Sequence, residues 1–233
     1  PSDILALTFT NKASREMKER IESLLRISSQ GLWFGTFHGI CRRILKIHWK
    51  EAELSERFTI LDSQDQLRLV KRIIKTNNLD EKLYDAKSIQ SFINRKKDNG
   101  IRSNQTSEKD DEVYILVYKE YESILKQTFS VDFADLILKT YELLLNHENI
   151  LSYYVNRFKH IMVDEFQDTN LLQFKLLKLL NNNTGSMYAV GDDDQSIYGW
   201  RGALSKNIKN FTDQFTNVEI FKLEQNYRST DKI

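Results

Sequence analysis

The sequence predicts an α/β fold, a parallel sheet with crossover helices interrupted by a mostly helical insertion. Three observations carry that expectation. Short apolar runs followed by amphipathic helical stretches recur toward both ends of the chain, the pattern of parallel strands joined through helices. Between about residues 58 and 127 the strand signal fades and apolar residues recur at helical spacing. Two later apolar runs end in clustered acids, and the carboxyl ends of parallel strands are where ligands bind.

Taken in order, residues 4–9 read as a strand. Thr10 or Asn11 then caps a helix whose apolar face is Ala13, Met17, Ile21, Leu24 and Leu25. Residues 32–36 form a second strand and 37–49 a second amphipathic helix. Helical periods follow at Leu67, Val70, Ile73 and Ile74, at Ile89, Phe92 and Ile93, and at Val113, Leu116, Val117, Tyr121 and Ile124. Lys96-Lys97-Asp98-Asn99-Gly100 and the polar residues up to Asp111 read as a mobile loop. A helix carrying Phe133, Leu136, Ile137, Tyr141 and Leu144 leads back to strands at 161–163, 187–190 and 218–223. The domain expectation is therefore a discontinuous α/β domain, 1–57 with 131–233, around a helical insertion at 58–130.

The 233 residues carry a net charge of only +1, so a nucleic-acid surface would be a local patch rather than a global field. The single cysteine, Cys41, excludes an intramolecular disulfide and fits a reducing, cytoplasmic setting. Its neighbours Phe37, Ile40, Ile44 and Leu45 make it a buried thiol rather than a nucleophile. No apolar run is long enough to span a bilayer, and there is no signal-peptide pattern. The chain starts Pro-Ser and enters a strand almost at once, which reads as a piece of a longer polypeptide.

Two segments carry chemistry. In His160-Ile-Met-Val-Asp-Glu-Phe-Gln-Asp-Thr-Asn170 an apolar strand runs into adjacent carboxylates, Asp164 and Glu165. Charge at the end of a buried strand needs water, hydrogen bonds or a cation. In nucleotide hydrolases one such acid helps hold Mg²⁺ beside the phosphates, and its neighbour positions and deprotonates water. Solvated acids opening a helix are the alternative. In Val190-Gly-Asp-Asp-Asp-Gln-Ser-Ile-Tyr-Gly-Trp-Arg-Gly202 a strand again ends in glycine and acids, and Gln195, Tyr198, Trp200 and Arg201 follow. Aromatics interleaved with arginine suit single-stranded nucleic acid, each stacked base contributing roughly 1–3 kcal/mol. Alternatively, Tyr198 and Trp200 are core aromatics and Asp192 to Asp194 a solvated acidic loop.

Five segments together are more specific than either. Ala6-Leu-Thr-Phe-Thr-Asn-Lys-Ala13, Gly35-Thr-Phe-His-Gly39, Val163-Asp-Glu-Phe-Gln-Asp-Thr-Asn170, Gly191-Asp-Asp-Asp-Gln-Ser-Ile-Tyr-Gly-Trp-Arg-Gly-Ala203 and Leu223-Glu-Gln-Asn-Tyr-Arg-Ser-Thr230 resemble, in sequence and order, the motifs of the UvrD/Rep/PcrA family of superfamily-one DNA helicases. The resemblance implies a RecA-like motor domain of the P-loop NTPase class, with a helical insertion that grips duplex DNA ahead of the fork. Lys87, Lys96 and Lys97 are its candidate contacts, or else a hydrated surface. It implies ATP and Mg²⁺ as cofactors, single-stranded DNA and single/double-strand junctions as partners, 3′ to 5′ movement, and service in repair or replication. Position by position, Asp164 would coordinate Mg²⁺, Glu165 would polarise the attacking water, and Gln195 would sense the γ-phosphate. Tyr227 would stack on adenine and Arg228 would contact the γ-phosphate. Phe9, Phe37, His38, Tyr198, Trp200 and Arg201 match positions that contact the strand. Taken alone, Phe9, Phe37 and His38 could be core or capping residues, and Tyr227-Arg228 an exposed turn.

One departure stands out. No G-x-x-x-x-G-K-[ST] loop occurs: the eight glycines, at 31, 35, 39, 100, 185, 191, 199 and 202, are never followed by Lys-Ser/Thr. The expectation is that the loop, and a second motor domain with an arginine finger, belong to the longer polypeptide, and that the chain alone is inactive. Two competing readings are a carboxylate-metal nuclease built on Asp164, Glu165, Asp168 and Asp192 to Asp194, and a non-catalytic single-strand-binding module.

Overall fold

The computed structural model describes residues 2–26, 28–181, 185–192, 195, 207–215, 217–223 and 225. Its sheet contains β1 (Ile4–Thr8), β2 (Trp33–Thr36), β5 (His160–Val163) and β6 (Ser186–Ala189), in the order β2-β1-β5-β6. All three pairings are parallel, so all four carboxyl ends share one edge. Leu5, Leu7, Ile161 and Val163 are buried, as strands of a parallel sheet require.

The crossover helices begin at side-chain caps. Thr10 accepts from the Ala13 amide at 3.1 Å and starts α1 (Asn11–Leu25), and Thr36 accepts from Gly39 at 3.2 Å and starts α2 (Phe37–Ile47). α2 buries Phe37, Ile40, Cys41, Ile44 and Leu45, spaced i, i+3, i+4, i+7 and i+8. The Cys41 thiol is 1% exposed, and burial pushes it up to about 12. α1 behaves differently: none of its residues is buried, and Leu24 and Leu25 are 81% and 55% exposed.

A second apolar cluster forms among α3 (Ser63–Thr76), α4 (Ala86–Asp98) and α5 (Glu112–Gln127), with Val70, Ile74, Ile89, Ile93, Val117 and Tyr121 at its centre. Two short strands, β3 (Thr59–Leu61) and β4 (Ser130–Asp132), pair in parallel where the chain enters and leaves this region. Next come α6 (Phe133–Asn146), α7 (Glu148–Arg157), α8 (Leu171–Asn181) and α9 (Asn207–Gln214). Helix α4 packs against both α6 and α8, joining the helical region to the sheet-bearing body.

Two expectations are corrected here. Residues 218–223 are not assigned to a strand: Ile220, Phe221 and Leu223 are 63%, 81% and 90% exposed and pair with no strand among the described residues. Their apolar pattern suits a strand, but a strand exists only where an edge accepts its backbone. Nor does a mobile loop begin at Lys96. Helix α4 runs on to Asp98 and ends in a Schellman turn, with Ile101 N–H donating to Lys96 O and Gly100 N–H to Lys97 O, around Gly100 at φ +79°. The polar segment beyond is tied back by Lys96 to Asp110 at 2.6 Å and by Arg102 to Glu122, Asp135 and Glu142. Lys96 and Lys97 are thus engaged inside the protein, and of the three candidate lysines only Lys87 is exposed.

Candidate functional site

The segment after β5 is built onto the shared sheet edge by backbone hydrogen bonds. Asp164 N–H donates to Leu7 O, Val190 N–H to Val163 O and Phe166 N–H to Val190 O, each at 2.9 Å. Glu165 occupies the left-handed region at φ 53°, ψ 43°, a conformation costing a non-glycine residue on the order of 1 kcal/mol. That turn separates the two acids in direction: Asp164 is half-buried and Glu165 exposed. Burial, and then the neighbouring Glu165 charge, push the Asp164 carboxyl above its usual range. A half-buried carboxylate beside a second negative charge is the environment a divalent cation relieves, so the donor chemistry fits Mg²⁺. Among the described residues no three His, Cys, Asp or Glu side chains converge into a metal cage, as the nuclease reading would need; Asp193 and Asp194 lie outside them. Mg²⁺ needs only one or two protein carboxylates when phosphates complete its shell.

Gln195 reaches this edge through the loop after β6. Its Nε2 donates to Asp192 Oδ2 at 2.7 Å and its backbone N–H to Asp192 O at 3.1 Å. Asp192 N–H in turn donates to Gln167 Oε1 at 3.1 Å. The structure therefore gathers Asp164, Glu165 and Gln195 along the ends of β5 and β6.

A cleft of about 410 Å³ opens between the sheet edge and the helical region. Phe9, His38, Phe133, Ser63, Asn94 and Arg95 are among the residues that line it. Asp168 and Asn170 line it too, so the segment that begins with Asp164 and Glu165 ends at the cleft. Phe9 and His38 are half-buried, and the His38 ring meets Phe133 edge-on at 5.9 Å. Phe37 is different. At 2% exposure it belongs to the core, because it starts the inward stripe of α2 while His38, one position on, turns to the cleft. Nothing in the sequence singles out Asn94 and Arg95; the packing of α4 on α6 and α8 is what brings them to the cleft that His38 also lines. Tyr198, Trp200, Arg201, Tyr227 and Arg228 lie outside the described residues.

Asp98, the last residue of α4, ties Asn170 to that helix. Its Oδ1 accepts from Asn170 Nδ2 at 3.1 Å, while burial and then the charge of Asp132 push its carboxyl up to about 6. A folded pKa above the unfolded value of about 3.9 means Asp98 favours the fold below that pH, and the advantage is lost as pH rises toward about 6. Asp98→Asn is accordingly expected to stabilise the protein at pH 7, by on the order of 2 kcal/mol, and to leave stability at pH 4 nearly unchanged. Urea titrations at both pH values check this; an equal effect at the two pH values contradicts it.

With this geometry in place, comparison with known proteins decides the family. The model of the UvrD/REP helicase N-terminal domain matches residues 1–216. The chain belongs to that family. It is 48% identical over 236 residues to DNA helicase II of Escherichia coli (strain K12), with 100% of the chain and 33% of the relative covered. It is 47% identical to DNA helicase II of Haemophilus influenzae, covering 99% of the chain and 32% of the relative. It is 43% identical to the ATP-dependent DNA helicase PcrA of Bacillus subtilis (strain 168), covering 100% and 32%. The chain thus spans about a third of the length of these relatives. The parallel sheet and helix-rich composition are those of a RecA-like motor domain of this family. Among the described residues no helix is long and apolar enough to cross a membrane.

Proposed function

We propose that the chain is the first motor domain of an ATP-driven DNA helicase or translocase that moves 3′ to 5′ along single-stranded DNA in repair or replication. One observation carries the reading. The segment 164–170 has its acids at the sheet edge and its far end lining the cleft, which supports a reading in which one piece of backbone would border both a nucleotide and a strand. The domain division that goes with it is 1–57 with 131–233 for the motor and 58–130 for the insertion, supported by the two separate apolar clusters.

In this reading Asp164 would hold Mg²⁺, which when bound would neutralise phosphate charge, and Glu165 takes a proton from the attacking water. The water oxygen bonds to the γ-phosphorus as the bridging P–O bond breaks, and ADP leaves with that electron pair. Gln195 senses the γ-phosphate, Arg228 contacts it and Tyr227 stacks on the adenine. Phe9, His38, Tyr198, Trp200 and Arg201 hold the strand. The 233 residues contain no phosphate-binding loop, so by themselves they turn over no ATP. The cytoplasm is the compartment this activity calls for.

The test is DNA-stimulated ATP turnover by the intact protein. Phe9→Ala and Trp200→Ala are each expected to weaken oligo-dT affinity roughly 5- to 150-fold, the loss of one stacked base. Both variants should reach the native turnover rate at saturating DNA only at correspondingly higher concentration. Native oligo-dT affinity in both variants would remove the strand-binding part of the reading.

A further inference from the structure

Gln167 joins the two acidic loops at the sheet edge. Its side-chain amide is 2% exposed, with one end of each polarity in use. Nε2 donates to Glu165 Oε2 at 2.6 Å, and Oε1 accepts from the Asp192 backbone N–H at 3.1 Å. A primary amide meets both demands at once, a donor for a carboxylate and an acceptor for a peptide N–H. The fit is close on the far side as well. A Cβ added at Gly191 would lie 2.6 Å from Gln167 Oε1 and 3.2 Å from its backbone N, so the absence of a side chain there makes room for the amide. From Asp192 the connection continues to Gln195, whose Nε2 donates to Asp192 Oδ2 at 2.7 Å.

We propose that Gln167 is a positioning residue for hydrolysis: it fixes the Glu165 carboxylate and transmits to it any displacement of the loop from 191 to 195. The inference rests on the reading of Glu165 as the proton acceptor. Glu165 is exposed and its turn is held in the left-handed region, so without the amide its carboxylate has free rotamers. The donor from Gln167 selects one of them. Because the same amide accepts from Asp192, a shift of the 191–195 loop must either break that bond or carry Gln167, and Glu165 with it. A strand bound further along the loop can thereby change how the base is aimed, with no group moving between the sites.

The chemistry supplies a test that a purely structural role would not pass. Gln167→Glu keeps the shape and the acceptor for Asp192, but at high pH sets a second carboxylate against Glu165. When the introduced carboxyl is protonated it donates as the amide does. In the intact protein, Gln167→Glu should lower kcat for DNA-stimulated ATP hydrolysis roughly 10- to 100-fold at pH 8.5, the range expected for a misplaced catalytic group, with KM for ATP within about twofold of native. The deficit should narrow toward pH 6. Gln167→Met, with no donor at any pH, should show a deficit of constant size. Combining Gln167→Glu with Glu165→Gln should lose no more than Glu165→Gln alone, because a positioned group has nothing left to position. A kcat within twofold of native at pH 8.5, or a Gln167→Glu deficit that does not change with pH, overturns the proposal. Should Gln167→Met fail to fold, the near-isosteric Gln167→Glu profile still decides. If Glu165→Gln itself turns over ATP at the native rate, it is the proton-acceptor reading that fails, a result separable from failure at Gln167 alone.

Discussion

Glu165→Gln is expected to abolish ATP turnover by the intact protein while leaving nucleotide affinity within a few-fold of native. A positioned general base contributes about 10²- to 10⁴-fold, and the amide cannot accept the water proton. It keeps nearly the same volume, and its oxygen can still accept from Gln167, so the loop that bears it has no reason to rearrange. The substitution also removes the negative charge that helps hold the Asp164 carboxyl above its usual range, so Asp164 ionises more readily and metal binding is not weakened from its own side. Fluorescent-nucleotide titration together with steady-state hydrolysis measures both quantities. Native turnover in this variant would show that another group accepts the proton.

The second large effect concerns stability. Lys97 is fully buried, and its Nζ donates to Asp132 Oδ2 and Asp135 Oδ2, each at 2.7 Å. Tyr121 OH donates to the same Asp132 oxygen at 2.8 Å, and Arg102 Nη1 reaches Asp135 Oδ1 at 2.7 Å. Burial works to lower the Lys97 pKa, but the two aspartates outweigh it and hold the ammonium charged. Burial likewise opposes ionisation of Asp135, and Lys97 and Arg102 outweigh it, keeping that carboxyl below its usual range. The signs agree: the depressed Asp135 adds stability above its unfolded pKa and the raised Lys97 adds it below its own, so both contributions are present across neutral pH. Lys97→Met leaves two buried carboxylates facing each other. Removing one partner of such a cluster costs roughly 3–5 kcal/mol, which for a domain of this size lowers Tm by on the order of 10 °C. Thermal unfolding of the variant checks it, and a Tm within about 2 °C of native would mean the cluster contributes little.

These two residues also mark what the sequence could and could not disclose. Asp164 and Glu165 were legible because an apolar strand ending in adjacent acids leaves few physical outcomes, and the sheet edge is fixed by strands whose apolar runs are plain. Lys97 was not. In Lys96-Lys97-Asp98 it reads as part of a polar loop, and its partners Asp132 and Asp135 lie 35 and 38 residues away, brought near only when α4 packs on α6. Phe37 shows the same limit on a smaller scale: the motif marks Phe37 and His38 together, and only the rotation of α2 about its axis sends one inward and the other to the cleft. Helix α8 went unread for another reason: between Leu171 and Leu180 only Gln173, Lys175 and Lys178 are polar, so no polar face sets a period. The strand expected at 218–223 failed because composition records a preference for extended backbone, whereas pairing depends on which edge is free.

The proposed function requires that a nucleotide site and a strand cleft bias each other through the segments 164–170 and 191–203. The most direct test uses Glu165→Gln, in which neither ligand is consumed, and measures oligo-dT affinity of the intact protein by fluorescence anisotropy with and without saturating ATP and Mg²⁺. Coupled sites change that affinity by roughly 5- to 150-fold, and the strand must change ATP affinity by the same factor. An oligo-dT affinity that stays the same while nucleotide is demonstrably bound would contradict the account.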